Sequence, residues 1–171
     1  MARTQDRQEI MERAEKFDPS KHPAYSYRTD ENVPAFTDNK ALIVFDGVCI
    51  FCSGFAKFVL KHDRHNRLNL CTAQSDIGRA LYVHYGLDPD NYETNIVIRD
   101  GRAHFKSDAF FEVMKLLGAG WPVLALLQIF PRGPRNWLYD RIAKNRYKLF
   151  GKAESCILLP PEHRNKILDT P

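Results

Sequence analysis

From Lys40 onward the alternation of apolar and polar positions is regular enough to read as a series of elements. Ala41-Leu42-Ile43-Val44-Phe45 is an unbroken apolar run, the pattern of a strand buried on both faces, and Asp46-Gly47 ends it. Phe55, Phe58, Val59 and His62 recur at helical spacing, which predicts a helix from about Cys49 to Asp63. Leu68 and Leu70 alternate with polar residues in a second strand, Arg67 to Thr72. Ser75 opens another helix with Ile77, Ala80, Leu81 and His84 on one face, and Gly86 suits the C′ position beyond its end. Asn95–Arg99 and Arg102–Lys106 flank Asp100-Gly101, a strong hairpin signal. Ser107 is the expected N-cap of a helix carrying Phe110, Val113, Met114 and Leu117, stopped by Gly118-Ala119-Gly120. Pro122 to about Ile129 is a short, almost wholly apolar helix that should be buried. Pro134 fits the first turn of a longer helix that stops at Gly151. Cys156 to Pro161 reads as extended, and the tail as a short helix.

Strand, helix, strand, helix, hairpin, helix is the order of an α/β layer. The opening strand-helix-strand favours parallel pairing through a right-handed crossover, and the hairpin adds an antiparallel pair. The expected fold class is α/β: a thioredoxin-like mixed four-stranded sheet with flanking helices and a helical C-terminal extension at 122–168. The domain proper spans 40–171. Residues 1–39 differ: Asp18-Pro19, His22-Pro23 and Val33-Pro34 break them up, Arg7 to Lys16 is at most a short charged helix, and Tyr25, Tyr27 and Phe36 favour docking over disorder. This is an N-terminal arm. The acidic Asp6, Glu9, Glu12 and Glu15 argue against a transit peptide.

Composition narrows the picture further. The 171 residues, 44% hydrophobic and 27% charged, supply one domain's core. A net charge of +4 is too mild to imply nucleic acid. The longest apolar stretch, Trp121 to Phe130, is far short of the ~20 residues of a membrane span. No apolar segment follows Met1-Ala2-Arg3 as a secretory signal would, and four cysteines are too few for a disulfide scaffold. The expected location is cytoplasmic.

The chemistry gathers at Cys49-Ile50-Phe51-Cys52. Spacing of i, i+3 at a helix start brings two sulfurs within disulfide reach. Unpaired N–H groups and the helix dipole favour an anion at the first sulfur, lowering its pKa below ~8.5. Cys49 is therefore the expected nucleophile and Cys52 the resolving thiol. The competing reading, a metal knuckle, lacks ligands: no second C-x-x-C exists, and His62 lies ten positions along the helix from Cys52, about 15 Å away at ~1.5 Å per residue. Asp46, three residues before Cys49, either relays a proton or tunes the thiol, or bonds the N–H groups of the Asp-Gly turn; the turn role is favoured. Cys71 reads as a small buried residue, with a third redox thiol as the alternative, and sequence does not place Cys156. Arg141, Lys144 and Lys148, with Arg132, Arg135, Arg146 and Lys152 near them, form a basic stripe without interleaved aromatics, best read as a solvated face. His62 reads as a hydrogen-bonded core residue.

The run Phe45-Asp46-Gly47-Val48-Cys49-Ile50-Phe51-Cys52 resembles the D-x-x-C-x-x-C signature of the DCC family of predicted thiol-disulfide oxidoreductases. Gln74-Ser75, Gly120-Trp121-Pro122, Pro131 to Arg135, Tyr139 to Tyr147, Phe150-Gly151-Lys152 and Cys156 to Pro160 extend the resemblance over about residues 41–168. It implies a thioredoxin-like fold and dithiol–disulfide exchange with a protein or small-thiol substrate, electrons coming from an unidentified reductant. Within the family-like Asn-Arg-Tyr run, Arg146 and Tyr147 could contact the dithiol. No metal, nucleotide or flavin cofactor is implied. Three features depart from ordinary thioredoxins. The place of the cis-proline that shapes substrate binding in many of them falls near Thr94-Asn95, the dipeptide between the cysteines is bulky and apolar, and the stretch from Pro122 to Arg164 is additional. The alternative function is a non-enzymatic protein-interaction module on the same fold.

Overall fold

The computed structural model describes residues 22–92, 94–153 and 165–168; the predicted helix at Arg7 to Lys16 and the extended run at Cys156 lie outside them. Strands β1 (Ala41–Phe45), β2 (Leu68–Thr72), β3 (Ile96–Arg99) and β4 (Arg102–Phe105) form one sheet in the order β2-β1-β3-β4. β1 and β2 run parallel, with Val44 opposite Cys71. β1–β3 and β3–β4 are antiparallel. The helices are α1 (Ile50–His62), α2 (Asp76–His84), α3 (Lys106–Leu117) and α4 (Arg132–Phe150), with 3-10 turns at Ser26–Thr29 and Trp121–Ile129. This is a mixed α/β architecture consistent with a thioredoxin-like fold.

Every residue of β1 and β2 is buried, because alternate side chains enter two different cores. Ile43, Phe45, Leu68, Leu70 and Val97 point to the face covered by α1 and α3, where Val59, Leu60, Val113 and Leu117 fill the space. Leu42, Val44, Cys71, Ile96 and Ile98 point to the other face, against Ile77, Leu81, Tyr82 and Tyr85. The described part of the arm covers that second face: Tyr27 is buried in the core, stacks on Phe36 and donates to Asp38 Oδ2 at 2.7 Å. The open edge of β2 is also covered. Ile167 pairs with Leu70, and Leu168 N–H donates to Leu70 O at 2.8 Å.

Two expectations need correction. Ser107 is not an N-cap: α3 starts at Lys106 with Phe105 at the cap position. The Lys106 N–H is taken by Thr94 Oγ1 at 2.8 Å, and the Ser107 hydroxyl donates to Asn136 Oδ1 of α4 at 2.6 Å. The apolar run after Gly120 is not buried either. Residues Trp121–Ile129 form a 3-10 ledge with no fully buried side chain. The core on that face is already filled by α1 and α3, so only Trp121 and Leu124 pack against it, leaving Leu126 70% and Ile129 87% exposed. Ser75, by contrast, caps α2 as expected, accepting from Gly78 N–H at 3.1 Å, and Gly86 takes a positive φ beyond its end.

Candidate functional site

β1 ends at Phe45 in the middle of the sheet and delivers Asp46 to its C-terminal edge, where α1 begins. Cys49 is the N-cap of α1: its Sγ accepts the Cys52 N–H at 3.3 Å, and its carbonyl accepts Ser53 N–H at 2.9 Å. The same turn brings the two sulfurs together. The Cys52 thiol donates to Cys49, and that bond, with help from the Cys52 N–H and the Arg146 charge, lowers the Cys49 pKa from 9.0 to about 6 against burial and the Asp46 charge. The same bond, burial and the neighbouring anion push Cys52 upward. The pair thus favours its anion on Cys49 rather than on Cys52. Both cysteines are free thiols.

Asp46 is 1% exposed and fully engaged. Its Oδ1 accepts Val48 N–H at 3.1 Å and Gln74 Nε2 at 2.8 Å. Its Oδ2 accepts Arg146 Nη2 at 3.1 Å and the Tyr147 hydroxyl. The favoured turn role is present in the bond to Val48, and a second role joins it. Asp46 anchors Arg146, a side chain 100 positions away in sequence, next to the dithiol. Burial and the bond to Asp46 push the Tyr147 phenol up to about 12, so it stays a hydrogen-bond donor. Gln74 closes the ring by accepting Gly47 N–H at 3.0 Å. The suspected contact of Arg146 and Tyr147 with the dithiol region is thus made through Asp46. Gln74 stands in the Gln74-Ser75 stretch of the family resemblance, but a polar residue after a strand carries no signal of its partner.

Access to the two sulfurs is unequal. Cys49 has no exposed surface and Cys52 is 6% exposed. On one side, Lys152 pairs with Cys49 and Ala153 N–H donates to Val48 O at 2.9 Å, so the chain after α4 closes over Cys49. On the other side, Cys52 lines a groove of about 530 Å³. Phe51 and Phe55 of α1, Phe110 of α3, Phe130, and Leu138 and Ile142 of α4 contribute to its wall, and Arg146 borders it. No sequence pattern pointed to this groove, because its walls come from distant elements.

The other candidates fall elsewhere. Cys71 belongs to the core on the opposite sheet face and bonds Ser75 Oγ at 3.1 Å, so it does not join the dithiol. His62 bonds Phe58 O at 2.8 Å and packs edge-on against Trp121, as a core histidine does. Arg141, Lys144 and Lys148 are exposed, whereas Arg146 leaves that stripe for the interior. Among the described residues no cluster of three His, Cys, Asp or Glu side chains converges on a metal position, and no helix is long and apolar enough to cross a membrane.

Comparison with known proteins agrees with this geometry. Residues 43–152 match the profile of the DCC1-like thiol-disulfide oxidoreductase family. A chloroplastic DCC family protein of Arabidopsis thaliana is 37% identical over 122 residues, 71% of each chain. The uncharacterized protein YuxK of Bacillus subtilis is 35% identical over 140 residues, 82% of this chain and 98% of its own. No solved structure matches.

Proposed function

Because the chain belongs to the DCC1-like thiol-disulfide oxidoreductase family, we propose that Cys49 and Cys52 form a redox-active dithiol that exchanges with a disulfide substrate. The observation that carries this reading is the placement of the two sulfurs: Cys49 Sγ sits at the N-cap of α1 and accepts the Cys52 N–H at 3.3 Å, with the Cys52 side chain one turn on. Cys49 attacks one sulfur of the substrate disulfide, forming a mixed disulfide and releasing the first substrate thiolate. Cys52 gives up its proton to that leaving group and attacks Cys49, forming the Cys49–Cys52 disulfide and releasing the second. The protein loses two electrons, and the substrate leaves as one thiol, carrying the Cys52 proton, and one thiolate that takes its proton from solvent. A second thiol, from a small molecule or a protein, returns the pair to the reduced state by the reverse steps.

Asp46 is a positioning residue in this scheme. It holds the turn that places Cys49 and anchors Arg146, whose charge favours the thiolate. The route to Cys49 runs through the groove past Cys52, the only one of the two that opens to it. Incubation of the Cys52→Ser variant with oxidised glutathione tests the assignment. A mixed disulfide accumulating on Cys49, absent from Cys49→Ser, is the expected result. Failure of either the variant or the wild-type protein to form any disulfide at this pair would leave only a binding module on the same fold.

A further inference from the structure

Two features of the groove are not needed by exchange chemistry alone, and both bear on what enters it. The first is the state of the main chain at its border. Thr94 and Asn95 line the groove, at the place where a polypeptide substrate would find partners for its own amides. Of those groups, the Asn95 N–H is spent and each carbonyl already accepts a bond. Thr94 O accepts the Tyr82 hydroxyl, Asn95 N–H donates to the Tyr139 hydroxyl at 3.2 Å, and Asn95 O accepts Thr94 Oγ1 at 3.1 Å. A peptide pressed into apolar walls with its amides unpaired loses far more than it gains. The second feature is Arg146. Only 5% exposed, it donates from Nη1 to Ala143 O and from Nη2 to Asp46 and the Tyr147 hydroxyl, yet among the described residues its Nε–H has no partner. A buried, unpaired donor on a cation asks for an acceptor.

We infer that the groove is the substrate site and that it takes a low-molecular-weight apolar disulfide carrying a hydrogen-bond acceptor, best an anionic one, rather than a polypeptide disulfide. The volume, about 530 Å³, is in the range of small-ligand sites. The aromatic and aliphatic walls take the apolar body, Arg146 takes the acceptor, and a disulfide seated on Cys52 lies beside the sulfur to which Cys52 donates. The step is the one given above: one substrate S–S bond breaks, the Cys49–Cys52 bond forms, and two electrons pass to the substrate, which leaves as one thiol and one thiolate that solvent protonates. The inference rests on that redox reading and adds its substrate class.

Single-turnover oxidation of the reduced full-length protein tests it, with the Cys49–Cys52 peptide followed by mass spectrometry after acid quenching. The probes are dithiodibutyrate, dithiodioctanoate, the equally long disulfide ending in amines, and insulin. The disulfide bonds of the aliphatic probes have similar intrinsic reactivity, so their rates report binding. Each methylene buried in the groove favours the longer acid by up to about fourfold, so dithiodioctanoate should react at least about tenfold faster than dithiodibutyrate. It should also outpace insulin, and outpace the diamine in high salt, where the chain's overall positive charge is screened. Leu138→Ser, at a half-exposed position that tolerates the change, should shrink the ratio between the two acids. Oxidation with no dependence on chain length, or fastest with insulin, overturns the substrate class while leaving the redox reading intact. Equal rates for the acid and the amine overturn the part played by Arg146. Absence of the Cys49–Cys52 disulfide with every probe overturns the redox reading and this inference with it.

Discussion

Replacing Arg146 by Met would leave Asp46 a buried carboxylate without its countercharge. Removing one member of a buried ion pair costs about 3–5 kcal/mol, which urea denaturation would read directly. Because the Arg146 charge also favours the Cys49 thiolate, the same variant should raise the Cys49 pKa. The pair itself makes stability depend on pH in a definite direction. Between about 6, the folded value of Cys49, and its ordinary 9.0, the unfolded chain holds a proton that the folded protein has released, so stability rises with pH across that window. Cys52 acts in the opposite sense: its folded pKa is raised, so above 9.0 the folded protein keeps a proton that the unfolded chain loses, and stability falls again. Urea midpoints of the reduced protein should therefore climb from pH 6 towards 9 and then turn over, and the climb should be absent in Cys49→Ser.

At the scale of elements, the join between β2 and α2 leaves no room for a side chain. A Cβ added at Gly78 would lie 2.1 Å from Thr72 O and 2.8 Å from Ala73 Cα, both backbone atoms that cannot step aside. Gly78→Ala should therefore destabilise by about 1–3 kcal/mol or more, despite alanine's better helix propensity, and thermal melting would show it. Such local joins explain what the sequence could and could not reveal. The run Ala41 to Phe45 and the alternation at Leu68 and Leu70 announced buried strands because burial on both faces leaves no place for a polar residue. Asp100-Gly101 announced the hairpin because both residues take positive φ. The start of α3 lies two residues before the expected one because Thr94, in the loop before β3, takes the Lys106 N–H. The 3-10 ledge was expected to be buried because apolar composition indicates that a segment wants cover, not whether the space beneath is already full. Cys49 and Cys52 were legible from i, i+3 spacing alone, whereas Gln74 and the groove depend on residues brought together only by the fold.

For the molecule as a whole, the last described residues tie the chain closed. Lys166 Nζ meets Asp63 Oδ2 at 2.8 Å, at a carboxylate that also accepts Arg67 and Leu68 N–H groups. Lys166→Met should cost about 3 kcal/mol and speed hydrogen exchange at the Leu168 amide, which now donates to Leu70 O; unchanged exchange would mean that the ion pair does not hold this segment on β2. The larger claim concerns how the sheet, α1 and α4 cooperate. The sheet presents Asp46 at its edge, α1 offers a thiolate from its first turn, and α4 reaches back to place a cation beside it. The rate at which iodoacetamide alkylates Cys49 as a function of pH tests that cooperation most directly. The account predicts a rate that rises through a midpoint of about 6 and shifts upward in Cys52→Ala, where the donating thiol is gone. A midpoint near the ordinary 9.0 of a cysteine, unmoved by that substitution, would contradict it.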